Sequence, residues 1–378
     1  MRFAITRVLE IAIKASPLLV PGCADQDRRF ARPFQVLAEG VSSRDFPAAV
    51  TAITQGDGLV ALKSFGRFTF NADSPSAMPN TIFDLASVSK VVATTAMAMI
   101  LYDRGWLDLE ARVSTIIGEF SGEDPRRDEV TLRMLLGHSS GLPAYEKLFM
   151  NAGTRDELLA AAFRVPLVED PGSCAEYSDV GFIILGVALE RLADESLDRF
   201  SQREIFGPIG MARTTYNPPP SLHSTIAPTA NDQTFRHRII QGEVQDENAS
   251  VLGGVAGHAG VFSSAEDVAT FAHTILTGGL VRPETTALFT RREISPEGSS
   301  RALGWDTPSE PSQSGKYFST GSFGHLGYTG TSLWIDPQRQ LSVTLLTNRT
   351  WPDCANQRIK ELRPSFHDAV IECLESPS

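Results

Sequence analysis

The sequence predicts an α+β fold: an antiparallel β-sheet built from both ends of the chain, flanked by helices, with an inserted all-helical lobe. Three observations predict it. Near the start, AAVTAIT and LVALKSF flank the turn Gly56-Asp57-Gly58, and near the end TSLWI and QLSVTLLTN flank Asp336-Pro337-Gln338-Arg339. Each pair has the form of a hairpin, two apolar β-branched runs joined by turn residues. Between them, apolar residues recur at helical spacing in segments broken by Pro and Gly. The expected division is a sheet domain from residues 1–86 and 245–378, a helical lobe over 87–244, and a cleft between them.

Size and composition narrow the class. The 378 residues suffice for one large or two ordinary domains, and 42% hydrophobic with 21% charged residues is a soluble globular composition. A net charge of −11 argues against nucleic acid or an anionic membrane as partner and says little about a small uncharged or cationic one; the expected partner is a small-molecule or peptide substrate. Cys23, Cys174, Cys354 and Cys373 show neither metal-ligand nor framework spacing and read as free thiols or at most one bridge. No cofactor motif occurs, no stretch is long enough to span a bilayer, and nothing in the sequence reports oligomeric state. A cytoplasmic location is expected, with periplasmic or secreted export as the alternative.

The elements follow in order. Residues 1–22 read as an amphipathic helix, because Glu10 and Lys14 interrupt any signal-like apolar core. A second, short one follows over 27–42, with Phe30, Phe34 and Leu37 on one face and Pro33 confined to its first turn. After the first hairpin and a polar linker, a helix of small residues opens near Ser87 and ends at Gly105. Residues 106–120 are a short amphipathic piece and 123–128 a charged loop. Thr131 and Thr154 are candidate N-caps, as is Ser178 or Asp179 for the periodic GFIILGVALERLADES. Residues 213–245 are mostly irregular, 264–279 form a helix capped by Ser264, and 306–322 are an irregular mobile segment. A final helical region is broken at Pro364.

Several motifs carry chemical potential. Ser87-x-x-Lys90 puts a hydroxyl and an amine on one face of a helix start, a plausible activated nucleophile; taken alone, the motif is common by chance and is read first as a cap and a surface lysine. Gly137-His138-Ser139-Ser140-Gly141 matches the Gly-x-Ser-x-Gly elbow, but a helical run precedes it and Pro143 follows, so it reads as a loop with His138 as a structural hydrogen-bond partner. Tyr177-Ser178-Asp179 precedes a long helix, and Lys90 is the cation that would lower the tyrosine's pKa. Gly324-His325-Leu326-Gly327-Tyr328 leads into a strand where a backbone N–H can meet an oxyanion. Asp246 and His258 sit in a second polar, Gly-rich stretch, and a metal site using His258 and His325 is a minority reading without ligand spacing.

Taken together, FDLASVSKVVATTAM, LLGHSSGLP, YSDVGFIILG and GHLGYTGTSLWIDP occur in the order found in the serine β-lactamase and penicillin-binding-protein superfamily. The chain resembles its class C β-lactamase-like branch, which includes D-alanyl-D-alanine carboxypeptidases and β-lactamase-fold esterases, from about Phe46 onward. The resemblance implies a β-lactamase/transpeptidase-like fold and an acyl-enzyme serine hydrolase. Ser87 would be the nucleophile, Lys90 and Tyr177 the base system, and the Ser87 and Tyr328 N–H groups the oxyanion hole. His325 and Gly327 would occupy the first and last places of the Lys-Thr-Gly motif.

Two departures favour an esterase or amide hydrolase, with a D-alanyl-peptide hydrolase next, over an efficient β-lactamase. Asp179 replaces an asparagine; it is expected to pair with Lys90, raise that pKa and so favour Tyr177 as the base. His325 replaces a permanently charged lysine and attracts a carboxylate less strongly. The alternative reading is a non-hydrolytic penicillin-binding or sensor-like module. The Asp246–His258 stretch also resembles a subset of these hydrolases and is expected beside the cleft, with no derivable role.

Overall fold

The computed structural model describes residues 19–375. The described residues begin with β1 (Val20–Pro21), the helix Ala31–Ser42 and the hairpin β2 (Ala48–Gln55) and β3 (Gly58–Gly66). β4 (Ile82–Asp84) leads into the central helical segment, which ends at Asp103. The intervening helices include Leu132–Leu136, Arg155–Ala162 and Asp179–Ala193. The short strands β5 (Thr215–Tyr216), β6 (Ala230–Asp232) and β7 (Arg238–Ile240) follow, then the helix Glu247–Val251, β8 (Val261–Ser264) and the helices Ala265–Leu276 and Pro283–Thr290. β9 (Phe323–Leu326), β10 (Ser332–Asp336), β11 (Leu341–Thr347) and the helix Ile359–Glu375 complete the chain.

The main sheet has the order β1-β3-β2-β11-β10-β9, so strands from both sequence ends interleave and the two expected hairpins meet at β2–β11. Every pairing in it is antiparallel except β1–β3, which is parallel and two residues long. Alternation along the strands produces two layers. Val50, Ala52, Leu333, Ile335 and Leu346 pack toward the central helices, whereas Ala49, Ile53, Trp334, Val343 and Leu345 meet the helices Ala31–Ser42 and Ile359–Glu375. Burial of each such aliphatic side chain contributes roughly 1.5–3 kcal/mol.

Local expectations fare unevenly. The helix expected over 1–22 lies almost wholly outside the described residues, and Val20–Pro21 within them is strand. Pro33 does sit in the first turn of Ala31–Ser42, and Phe34 and Leu37 face the core. Thr131, Thr154 and Ser264 each accept a backbone N–H as N-caps, and Thr154 completes a capping box with Glu157. The expected break at Pro364 is absent, because the helix runs through it. Proline leaves the Lys360 carbonyl without its N–H donor, and Gln313 Nε2 donates to that oxygen instead, at 3.0 Å.

Gln313 belongs to the expected mobile segment. That segment is irregular, and it is tied down as well: Ser319 donates twice to the Asp336 carboxylate, and Phe318 packs on Trp334. Elements without a clear expectation include β4 and β8, which pair with each other beside β5, and the helices Glu247–Val251 and Pro283–Thr290. Among the described residues no helix is long and apolar enough to cross a membrane, and all four cysteines are free.

Candidate active site

The site is built on the turn that leaves β4. The Asp84 carboxylate accepts the Ala86 N–H at 2.8 Å and the Gln245 N–H at 2.7 Å, and burial lifts its pKa to about 6. These bonds hold Ala86 at φ +47°, a left-handed conformation that costs a residue with a side chain about 1–3 kcal/mol. The strain falls immediately before Ser87. A 3₁₀ turn, Ala86–Val88, then passes into a π-helical turn, Lys90–Thr95, of the kind that accumulates at functional sites.

Neither the cap nor the surface-lysine alternative survives. Ser87 makes no side-chain capping bond, and Lys90 is completely buried. Ser87 Oγ lies 2.9 Å from Lys90 Nζ and 2.7 Å from the Tyr177 hydroxyl. Lys90 Nζ also donates to Asp179 Oδ1 at 2.6 Å and to the His258 carbonyl at 3.1 Å. Two of its three neighbours can only accept, so the direction facing Ser87 holds either its third proton or, in the amine, its lone pair.

Asp179 pairs with Lys90 as expected, but the net effect on the lysine is the reverse of the expectation. Burial lowers the Lys90 pKa more than Asp179 raises it. Burial, then the Asp179 charge, holds Tyr177 well above its ordinary value, so its phenol stays protonated. No cation makes this tyrosine a phenolate: burial and the Asp179 carboxylate, 3.0 Å from its hydroxyl, outweigh the nearby Arg301 charge.

The Gly-x-Ser-x-Gly stretch is a loop after a short helix, as its context implies. His138 sits at φ +57°, and its Nδ1 accepts the Ser178 N–H at 3.0 Å. Its neutral ring, kept so by burial, lies 4.8 Å from that of Tyr177. Ser178, not Asp179, caps the following helix by accepting the Gly181 N–H, which frees Asp179 to face the site. One loop thus fixes the tyrosine, and one cap choice frees the carboxylate.

The opposite wall is β9, an edge strand of the main sheet. His325 Nδ1 lies 2.8 Å from the Leu326 carbonyl, and burial with the nearby Lys90 and Arg301 charges keeps the imidazole neutral. Nδ1–H is therefore the donor, and Nε2 is a bare acceptor, buried without a protein partner. Gly327 is needed for close approach: an added Cβ would lie 1.9 Å from Thr331 Oγ1 and 2.5 Å from the Leu85 carbonyl. Thr331 and Thr329 stitch this strand end to the nucleophile turn by donating to the Leu85 and Asp84 carbonyls, both at 2.8 Å. Neither the Ser87 nor the Tyr328 N–H donates to a backbone acceptor among the described residues.

Gly327→Ala is accordingly expected to destabilise the protein by about 1–3 kcal/mol through overpacking. It is also expected to lower kcat/KM on any turned-over ester by roughly 10²-fold by displacing the strand end from Ser87. Thermal melts and steady-state kinetics check both, and wild-type values in both would remove the close-approach role.

Three features escaped the sequence reading. Gly257 crosses the helix Asp179–Ala193 so closely that a Cβ on it would sit 2.0 Å from the Phe182 carbonyl. This crossing carries the His258 carbonyl to Lys90, while His258 Nε2 meets Asp246 Oδ1 at 2.8 Å. Among the described residues no three His, Cys, Asp or Glu side chains are arranged to hold a metal ion. Arg301 is the third: its guanidinium carbon lies 5.4 Å from the Tyr177 ring centre and 3.7 Å separates Nη1 from Asp306 Oδ1. It supplies a positive charge in the cleft where His325 does not. Ser87, Tyr177, Asp179, His325 and Tyr328 all line one cleft of about 950 Å³, with Tyr145, Phe149 and Met150 forming apolar wall.

A strained serine turn, a buried lysine and a tyrosine converging on one hydroxyl define a hydrolase of the β-lactamase and penicillin-binding-protein superfamily. The chain belongs to the beta-lactamase family, whose model matches residues 34–363. A Salmonella agona (strain SL483) protein provisionally named a D-alanyl-D-alanine carboxypeptidase is 32% identical over 332 residues, 79% of this chain and 76% of that one. The solved structure of EstCE1, a hydrolase with promiscuous acyltransferase activity, superposes with a TM-score of 0.75 at 21% identity, covering 92% of this chain and 100% of that one. A penicillin-binding protein homologue from Caulobacter crescentus gives 0.73 at 18% identity, covering 91% and 97%. At such identities the structural matches establish the fold alone.

Proposed function

We propose that this protein hydrolyses an ester or amide through an acyl-enzyme on Ser87, as an esterase or a D-alanyl-peptide hydrolase. The observation that carries the reading is the placement of Ser87 Oγ between Lys90 Nζ, at 2.9 Å, and the Tyr177 hydroxyl, at 2.7 Å. Lys90, its pKa lowered by burial, takes the Ser87 proton as the amine. Oγ attacks the substrate carbonyl, and the oxyanion meets the Ser87 and Tyr328 N–H groups, each such donor contributing on the order of 3 kcal/mol. Tyr177, a neutral phenol, passes a proton to the leaving group as the bond to that group breaks, and the Lys90 ammonium returns a proton to the phenolate through Asp179 Oδ1, which contacts both. Water then enters, gives a proton to the same amine and attacks the acyl carbon; the bond from that carbon to Oγ breaks, the acid leaves, and Lys90 returns the proton to Ser87. Asp179 holds Lys90 and Tyr177 together; His325 Nε2 offers the substrate an acceptor, not a charge.

The relative's provisional carboxypeptidase name supports the peptide option, and the apolar wall of the cleft supports the ester. Mass spectrometry after exposure to short-chain nitrophenyl esters, D-Ala-D-Ala peptides and a fluorescent penicillin tests the reading. The expected result is an acyl adduct on Ser87 that turns over with at least one ester or peptide and is absent in Ser87→Ala. A folded protein that neither forms an adduct nor releases product would exclude it. An adduct that never turns over would identify the non-hydrolytic sensor instead.

A further inference from the structure

The proposed hydrolase site shares its cleft with two guanidinium groups that make no ion pair among the described residues. Arg349 follows β11, and Arg363 lies on the helix Ile359–Glu375; both line the cleft that contains Ser87. They are only 5% and 3% exposed. Arg349 donates to neutral oxygens alone, the carbonyls of Tyr328 at 2.7 Å, Asn356 at 3.2 Å and Cys354 at 3.4 Å. Arg363 Nη1 donates to Gln313 Oε1 at 2.9 Å, and its Nε is buried with no partner. The charge felt by Arg363 is that of Arg349, which repels it, and no carboxylate offsets its burial. Burial, and then the Arg363 charge, pushes His367 down to about 3.

Of the carboxylates that line the cleft, Asp306 faces Arg301 at 3.7 Å, and Glu247 makes no ion pair with Arg349 or Arg363. Asp45 is engaged by Arg358 at 3.2 Å, Asp179 by Lys90 and Asp246 by His258. A buried cation without a counter-ion costs several kcal/mol, and a second positive charge that repels it adds to the cost. Planar guanidinium groups with unused N–H donors match the paired oxygens of a carboxylate or phosphate. Gln357 and Lys360, also at this end of the cleft, add further donors.

Resting on the hydrolase reading, we propose that Arg349 and Arg363 form an oxyanion subsite that recognises a carboxylate or phosphate group on the substrate, remote from the scissile carbonyl. The substrate class is then an ester or amide bearing a second, anionic end. The subsite is distinct from His325, whose imidazole is neutral.

The test compares kcat/KM for a neutral nitrophenyl butyrate with a carboxylate-ended nitrophenyl glutarate and a phosphate-ended analogue, in wild type, Arg363→Met and Arg363→Gln. Wild type is expected to favour one charged ester by about tenfold or more, and the variants to lose that ratio. Whichever charged ester is favoured identifies the oxyanion. In parallel, thermal melts with glutarate or inorganic phosphate are expected to rise for wild type and not for the variants. Arg363→Met alone should melt no lower than wild type, since it removes an uncompensated buried charge. An unchanged ester ratio in the variants, or a fall in melting temperature with the ratio retained, would overturn the subsite and make Arg363 structural. Loss of Ser87-dependent turnover on every ester would sink the hydrolase reading, while the anion-dependent melts would still decide the subsite.

Discussion

Lys90→Met is expected to lower kcat/KM on a nitrophenyl ester by roughly 10³-fold or more, the scale of a lost general base. It is also expected to destabilise the fold by about 3–5 kcal/mol, because Asp179 is left facing a buried site without its cation. The two losses separate in the double variant Lys90→Met with Asp179→Asn. Stability should largely return, since the unpaired carboxylate is gone, while activity should not. Recovery of both would reduce Lys90 to a structural ion-pair partner. Tyr177→Phe supplies the contrast. It keeps the ring against His138 and removes only the hydroxyl that points to Ser87. Nitrophenolate departs without a proton, so this variant should cost far more on an amide or alkyl ester than on a nitrophenyl ester. Lys90→Met should be severe on all of them. Equal losses for Tyr177→Phe across leaving groups would remove it as their proton donor.

Much of this site was legible because its chemistry is local in sequence. Ser87 and Lys90 are one helical turn apart, and the Ser178 cap and Asp179 are adjacent. The hairpins were legible because turn residues and β-branched alternation coincide there. The rest depends on tertiary context. β4 and β8 are three and four residues long and buried throughout, too short for a period to show. Pro364 breaks a helix in isolation, but Gln313, 51 residues earlier, occupies the carbonyl that the proline abandons. Arg349 and Arg363 look like ordinary surface charges until their burial is seen. The close crossing at Gly257 was not legible either, because its partner, the helix that carries Asp179, is brought there only by the fold. The direction of the Lys90 shift was missed for a related reason. Opposite charge was visible in the sequence, whereas complete burial of the amine was not.

Asp179→Asn turns that balance into a measurement. Asp179 raises the Lys90 pKa both through its charge and by accepting a hydrogen bond from Nζ, and burial opposes it. An asparagine removes the charge and leaves the burial, so the lysine must titrate lower still. If the amine is the base, activity rises with pH as Lys90 loses its proton. The acid limb of the kcat/KM profile should therefore move to lower pH in Asp179→Asn, by about one unit or more for a charge removed at hydrogen-bond distance. At a pH on that limb the variant would have the larger fraction of competent base, so its loss of rate should shrink as the pH falls. The same substitution also lowers the Tyr177 pKa, which the Asp179 charge helps hold up. A phenolate base would place its limb above the ordinary tyrosine range, near pH ~10, in wild type and bring it down in the variant. A limb found there would assign the proton to Tyr177; an acid limb below that range that moves down further in the variant assigns it to Lys90. An unmoved limb would mean that neither group bonded to Asp179 takes the proton from Ser87.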